Sequence, residues 1–221
     1  IPSLFKLWRR NRPGYVMVSR GGLLWLLYPR SIVDREMILW GDWEPEQRSL
    51  LLRRMTQDGA DMFLDVGSCF GLYAITIKHR MPGLDVHAFE PHPANRAQLQ
   101  ANILINNLTG RITVHDCAAS ATAQRMTIAF ADEKNRGAAT VNGEGAMSFD
   151  IAARPLDDLF PIKSKTIFAK IDVEGHEKEV LAGAKNLIAG NRCFFQIECL
   201  QSGDTAGFLS CAAEMNLRVA A

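Results

Sequence analysis

One stretch constrains this chain more than any other: Phe63-Leu-Asp-Val-Gly-Ser-Cys-Phe-Gly71. The apolar run Met62 to Val66 predicts a buried strand, the glycines a tight turn, and Leu72 to Arg80 a helix. A strand that enters a helix through such a turn leaves free backbone N–H groups at its carboxyl end, where a ligand can sit. About twenty residues on, Val86 to Phe89 predicts a second strand, closing on Glu90 and Pro91. An acidic side chain in that place can accept hydrogen bonds from both hydroxyls of a ribose. Together the two stretches describe the nucleoside-binding first half of a parallel α/β sheet.

The turn also discriminates between nucleosides. A dinucleotide site spells G-x-G-x-x-G, because the pyrophosphate approaches the backbone at the second glycine. Here Cys69 occupies that position, and its side chain stands where a pyrophosphate would press. Asp65, just before the turn, would repel phosphate but can meet an ammonium group. S-adenosylmethionine carries an ammonium and no phosphate, so it is the expected cofactor. Gly67 and Gly71 are expected to let its methionine part approach the backbone, with Ser68 between them, Asp65 at the ammonium, and Glu90 with Pro91 at the ribose. A plainer reading stays open, in which Asp65 caps the turn and Gly67 merely permits the bend.

At 221 residues the chain is long enough for one full core, and a single domain is expected over 1–221. Within it, residues 1–60 form an N-terminal β element and helix, and 61–221 a Rossmann-like core. Twenty-five Lys and Arg against 24 Asp and Glu leave a net charge of +1, so no nucleic-acid partner is expected. Locally, Lys6, Arg9, Arg10, Arg12, Arg20 and Arg30 precede the first acidic residue, Asp34. With Leu4, Phe5, Leu7 and Trp8 this arm could touch a membrane, although a solvated or sheet-packed segment is the favoured reading. Five cysteines without a C-x-x-C pair read as reduced core thiols of a cytoplasmic protein. Leu23 to Tyr28 is too short to span a bilayer, which takes about 20 apolar residues, and no signal peptide is expected. The chain opens at Ile1 without a methionine and stops at Ala221 in a stretch, Leu217 to Ala220, that reads as a strand; both ends are expected to be trimmed.

Arg20-Gly21-Gly22 between Tyr15–Ser19 and Leu23–Tyr28 predicts a hairpin. Gly41-Asp-Trp-Glu-Pro45 leads into a predicted helix from about Pro45 to Gln57. Alternation then continues with strand 84–89, helix 92–107 and strand Ile112–His115. Arg125–Phe130 and Met147–Ile151 read as short strands around a glycine-rich polar stretch, 132–146, expected to act as a lid. Strand Thr166–Ile171, helix 176–189, strand Cys193–Ile197 and helix 204–216 complete the pattern. Such alternation predicts a doubly covered parallel sheet, with ligands at the carboxyl ends of its strands. One rim is thus expected to gather Asp65 to Gly71, Glu90, Asp116, Asp172 to His176 and Glu198.

Lys170-Ile-Asp-Val-Glu-Gly-His-Glu177 crowds four charged groups and an imidazole at one strand end. They must pair, meet water, or face a polar ligand. This run, with Gly41–Pro45, the 63–71 turn, Phe89-Glu-Pro-His92, Asn102 with Asn107, and Pro155-Leu-Asp-Asp158, resembles the FkbM-type S-adenosylmethionine-dependent methyltransferases over roughly residues 35–200. The resemblance implies a class I methyltransferase sheet of seven strands, here incomplete at its C-terminal end, and O-methylation of saccharide, polyketide or other secondary-metabolite hydroxyls.

Methyl transfer to an alcohol needs a base as well as positioning. His176 is the candidate base, with Glu174 or Asp172 orienting it and Glu174 next in line. Glu44 and Trp43, with Asp172, are expected to line the donor or acceptor pocket, and Asp116 and Cys117 to flank adenine. A nicotinamide oxidoreductase, a metal-assisted enzyme holding an ion with Asp172, Glu174 and His176, and an inactive cofactor-binding module remain as alternatives; no metal is the favoured expectation.

Overall fold

The computed structural model describes residues 14–130, 140–141 and 147–198, together with Ala213. The hairpin is β1 (Val16–Arg20) and β2 (Leu23–Leu27), followed by α1 (Ile32–Trp40) and α2 (Pro45–Asp58). Strands and helices then alternate as β3 (Met62–Val66), α3 (Leu72–Arg80), β4 (Asp85–Phe89), α4 (Pro93–Ile105) and β5 (Thr113–His115). An excursion follows, β6 (Ala118–Ala119), β7 (Gln124–Phe130), β8 (Thr140–Val141) and β9 (Met147–Arg154). It returns through α5 (Leu156–Leu159) to β10 (Thr166–Ile171), α6 (Glu177–Ala182), α7 (Lys185–Gly190) and β11 (Arg192–Ile197).

The main sheet has the order β11-β10-β3-β4-β5, with every neighbour parallel. Because side chains alternate along a strand, each central strand feeds two cores. Phe63 and Phe168 face one, with Trp25, Met55, Ile75 and Leu99 from the hairpin, α2, α3 and α4. Leu64, Val66, Ala169 and Ile171 face the other, against Leu156, Val180 and Leu187. Burying each such large apolar side chain stabilises the fold by about 1.5–3 kcal/mol. The chain runs from β3 outward to β5, then crosses back to β10 on the other side of β3. The order therefore reverses between β3 and β10, and the carboxyl ends of these two strands open a crevice.

The hairpin is fastened to the sheet by α4. Asn102 Oδ1 accepts the Leu26 N–H at 2.7 Å, and Asn102 Nδ2 donates to the Phe70 carbonyl at 3.0 Å. Asn106 repeats the motif one turn on, accepting from Leu24 N–H at 2.9 Å and donating to Leu24 O at 2.7 Å. Two side-chain amides thus satisfy the edge of β2, which no further strand among the described residues covers.

Three features depart from the sequence reading. The helix α1, over Ile32–Trp40, is an element the sequence reading leaves unassigned, and it buries only Asp34 and Met37; Asp34 Oδ1 accepts from Tyr28 N–H and from Gln98 Nε2, each at 2.6 Å. The expected helix 176–189 is two short helices broken at Gly183, where a Cβ would lie 2.0 Å from the Ser120 carbonyl, so the chain must kink past β6. Asp157, one of the Pro155–Asp158 residues, accepts the N–H groups of Asn186 and Leu187 at 3.0 and 2.8 Å and so starts α7. The expected lid over 132–139 and 142–146, the basic arm up to Arg12, helix 204–216 apart from Ala213, and the terminal strand lie outside the described residues. Among the described residues no helix is long and apolar enough to cross a membrane.

Candidate active site

A cavity of about 320 Å³ opens over the switch point, in the range of a small-ligand pocket. Val66 and Gly67 line it from β3 and its turn, Glu90 and Pro91 from the end of β4, and Asp172, Glu174 and His176 from the segment after β10. Trp43, Val33 and Ile128 supply apolar wall, and Glu198 closes the far side. The lining contains four carboxylates and, among the described residues, no lysine or arginine.

The glycine turn is braced from within. Gly67 and Ser68 N–H both donate to the Phe89 carbonyl, at 3.1 and 2.9 Å, and Gly71 N–H donates to Ser68 O at 2.7 Å. Cys69 N–H donates to Glu90 Oε2 at 2.8 Å. The expectation of free amides awaiting a ligand is therefore corrected, since these four are spent on the protein. Gly67 takes φ 86° because a Cβ there would lie 1.8 Å from the Asp172 carbonyl. Gly71, at φ 94°, faces Leu99 and Ile75 rather than the cavity: a Cβ would come within 2.4 Å of Leu99 Cδ1. The absence of a side chain at Gly71 thus makes room for the packing of Leu99 and Ile75.

Asp65, expected at the ammonium, is placed away from the cavity lining. It lies buried under the turn, where Oδ2 accepts from Ser68 Oγ at 2.7 Å and from Ala74 N–H at 2.9 Å, and it does not line the cavity. Burial raises its pKa, against the pull of the Lys170 charge. Ser68 is likewise buried and committed to Asp65. Asp116 is exposed and Cys117 packs into the core with Phe89 and Leu156, so neither flanks the cavity; Ala118 and Ala119 do, because the chain turns into β6 directly after them. Glu44 sits outside the lining and accepts the Tyr73 hydroxyl at 2.7 Å, whereas its neighbour Trp43 reaches in.

Glu90 does stand in the cavity wall. Both oxygens hold backbone amides, Cys69 N–H at Oε2 and His92 N–H at Oε1, each at 2.8 Å, and burial nevertheless pushes its carboxyl up to about 8. Across the crevice Asp172 accepts from Lys170 Nζ at 2.6 Å. Burial works against the lysine's charge, but the carboxylates of Asp172 and Asp65 outweigh it and raise its pKa. Lys170 Nζ lies 4.7 Å from the centroid of the Tyr73 ring, and Gln196 Nε2 donates to the Tyr73 hydroxyl at 3.0 Å. Burial and then the Asp172 charge raise both Glu174 and Glu198, the latter to about 7. Glu174 holds a left-handed φ of 54°, unusual for a side chain with a Cβ, which turns the chain between β10 and α6.

His176 lines the same cavity, but the partners expected for it are corrected. Neither Glu174 nor Asp172 orients the ring; Nε2 lies 3.0 Å from Ser120 Oγ and Nδ1 lies 3.6 Å from Glu179 Oε2. Burial lowers its pKa, with the Glu179 and Glu177 charges opposing, so the ring is neutral at neutral pH. With Nδ1 facing a carboxylate, the favoured tautomer carries its proton there and leaves the lone pair on Nε2. Ser120 is a site residue the sequence concealed, 56 positions from His176 and attached to a two-residue strand.

A cavity lined by four carboxylates and, among the described residues, no lysine or arginine lies at the switch point of a parallel sheet, beside a small mixed sheet, in a Rossmann-like α/β fold. The methyltransferase FkbM domain matches residues 65–213, and the chain belongs to that family. It is similar to the 31-O-demethyl-FK506 methyltransferase FkbM of Streptomyces tacrolimicus, at 41% identity over 69 residues, 30% of this chain and 26% of that protein. It is also similar to methyltransferase sdnD of Sordaria araneosa, at 26% identity over 152 residues, 54% of this chain and 59% of that protein. The chain thus spans less than two thirds of the length of either relative. Among solved structures, the O-methyltransferase of a trans-AT polyketide synthase of Brevibacillus brevis, in complex with S-adenosyl-L-homocysteine, resembles it with a TM-score of 0.45 and 13% identity, over 84% of this chain and 59% of that one.

Proposed function

We propose that this methyltransferase uses S-adenosylmethionine to methylate a hydroxyl of a saccharide or secondary-metabolite scaffold. The observation that carries the reading is the chemistry of the lining: four carboxylates, no lysine or arginine among the described residues, and turn amides already satisfied. A pyrophosphate would find no lysine or arginine in the lining among the described residues and the Gly67, Ser68, Cys69 and Gly71 amides already spent, whereas an ammonium, a sulfonium and ribose hydroxyls all suit carboxylates. S-adenosylmethionine, when bound, supplies an electrophilic methyl group on a positively charged sulfur. Glu90 would hold the ribose hydroxyls with its remaining lone pairs. Asp172 and Glu174 would meet the positive charge, the part first expected of Asp65, and the apolar side chains of Ala118, Ala119 and Ile128 would take the base.

The residues around His176 then account for the acceptor. A sugar or macrolide alcohol is too weak an acid to lose its proton unaided, so a neutral base must stand beside it. His176 is neutral because it is half buried, its Nδ1 is held toward Glu179, and its Nε2 already accommodates one hydroxyl, that of Ser120, at 3.0 Å. An acceptor hydroxyl reaching the same nitrogen would pass its proton to Nε2 as its oxygen is alkylated. The relatives' names support an alcohol acceptor by analogy alone. Calorimetric titration tests the cofactor: S-adenosylhomocysteine is expected to bind the purified chain, and NADH to give no heat. Binding of NADH in place of S-adenosylhomocysteine would overturn the reading.

A further inference from the structure

A second cavity among the described residues, about 650 Å³, is larger than the acidic one. The two share a wall: Val33 and Trp43 face the acidic site, while Met37, Asp42 and Pro45, from the same helix and loop, face the second. The floor of the second cavity is apolar, with Leu23, Trp25, Met37 and Leu72 all buried and Leu52 half-buried. Its rim is cationic. Arg20, Arg53 and Arg80 stand around it with His79, all exposed, and none is ion-paired to a carboxylate among the described residues. Asp42, the sole carboxylate of the lining among those residues, is already taken by Arg48.

A single exposed arginine is ordinary surface, but three around one apolar concavity without a free counter-charge concentrate positive potential over a dry floor. The guanidinium fork suits the oxygens of a phosphate, and the indole and leucine floor suits hydrocarbon. Most of this cavity comes from residues 20–57, upstream of the family match at 65–213, while Leu72, Thr76, His79, Arg80 and Met81 come from within it.

We propose that the cavity between the hairpin, α1, α2 and α3 binds an anionic amphiphile, a phosphate monoester held by Arg20, Arg53 and Arg80 with its hydrocarbon portion on Trp25, Leu52 and Leu72. Such a molecule can be a free phosphorylated metabolite or a lipid in a bilayer, and the experiment separates the two. The intact chain is titrated with dihexanoyl phosphatidate below its micellar concentration, with inorganic phosphate, and with neutral dihexanoylglycerol, and is sedimented with phosphatidylcholine vesicles containing phosphatidate. The soluble phosphatidate is expected to bind at least about tenfold more tightly than either half alone, and the double variant R53Q/R80Q to bind it at least about tenfold more weakly. Both arginines are exposed, so the fold is not at stake, and Leu52→Ser provides a separate loss on the apolar side. Vesicle binding in addition identifies a lipid source, and its absence a free metabolite. Equal binding of phosphate alone or of the neutral lipid, an unchanged R53Q/R80Q variant, or binding to vesicles without binding to soluble phosphatidate would each overturn the proposal.

Discussion

Glu90 and Cys69 are joined by one hydrogen bond, 2.8 Å from the Cys69 N–H to Glu90 Oε2. It ties the end of β4 to the turn after β3 and consumes the amide that stands at the glycine of a dinucleotide turn. The carboxylate is therefore a brace of the turn and a wall of the cavity at once, and its charge state bears on both.

Glu90 should make stability fall as pH rises. Its carboxyl is lifted by burial to about 8 from an ordinary value of 4.5, so the folded chain keeps a proton that the unfolded chain releases. The contribution is complete below pH 4.5 and is lost as pH passes through about 8. Asp65 and Asp34, also raised by burial, act in the same sense. Urea midpoints between pH 5 and 9, taken without ligand, should decline in the wild type and decline less steeply in Glu90→Gln; parallel slopes would remove Glu90 from the account. Measured above pH 8, where Glu90 is ionised in the folded chain, the same variant should bind S-adenosylhomocysteine about tenfold more weakly, as one charge-assisted contact is lost.

His176→Ala should lower turnover by about 10²–10⁴ while S-adenosylhomocysteine affinity stays unchanged. Because burial holds the imidazole pKa below its ordinary value, kcat/KM should already be on its plateau at neutral pH and fall only in acid. Full activity in the variant would pass the role to Glu174.

The two turn glycines should differ in cost. At Gly67 an added Cβ meets the Asp172 backbone carbonyl at 1.8 Å, which cannot yield without parting β3 from β10. At Gly71 it meets the side-chain methyls of Leu99 and Ile75, which can shift. Both carry the left-handed penalty of about 1–2 kcal/mol. Gly71→Ala should add the usual overpacking cost of about 1–3 kcal/mol, and Gly67→Ala clearly more. Denaturation midpoints in the reverse order would contradict this.

Asn102→Ala should loosen the hairpin from the sheet. The change strands the buried Phe70 carbonyl, at about 1–3 kcal/mol, and leaves the part-buried Leu26 N–H without its acceptor at a smaller cost. Faster amide exchange across Leu23–Leu27 than in β3 would show that the loss is local; uniform acceleration would mean that the hairpin and sheet unfold together.

The sequence by itself determined the alternating frame. Strand β10 and helix α3 lie on their expected residues, because buried apolar runs bounded by glycine and charged residues are local signals. It also placed Gly67, Glu90, Asp172, Glu174 and His176 on one rim, since each follows the carboxyl end of a parallel strand and all parallel strand ends share one side. Only the tertiary structure decided what each of these groups touches. Asp65 turned inward to Ser68 and Ala74, Ser120 came to His176 from 56 residues away, and Ala118 and Ala119 displaced Asp116 and Cys117 from the cavity wall. Periodicity specifies which face of a strand a side chain takes, but its partner is set by how the small mixed sheet docks on the parallel one, and contacts between elements far apart in sequence leave no local pattern to read.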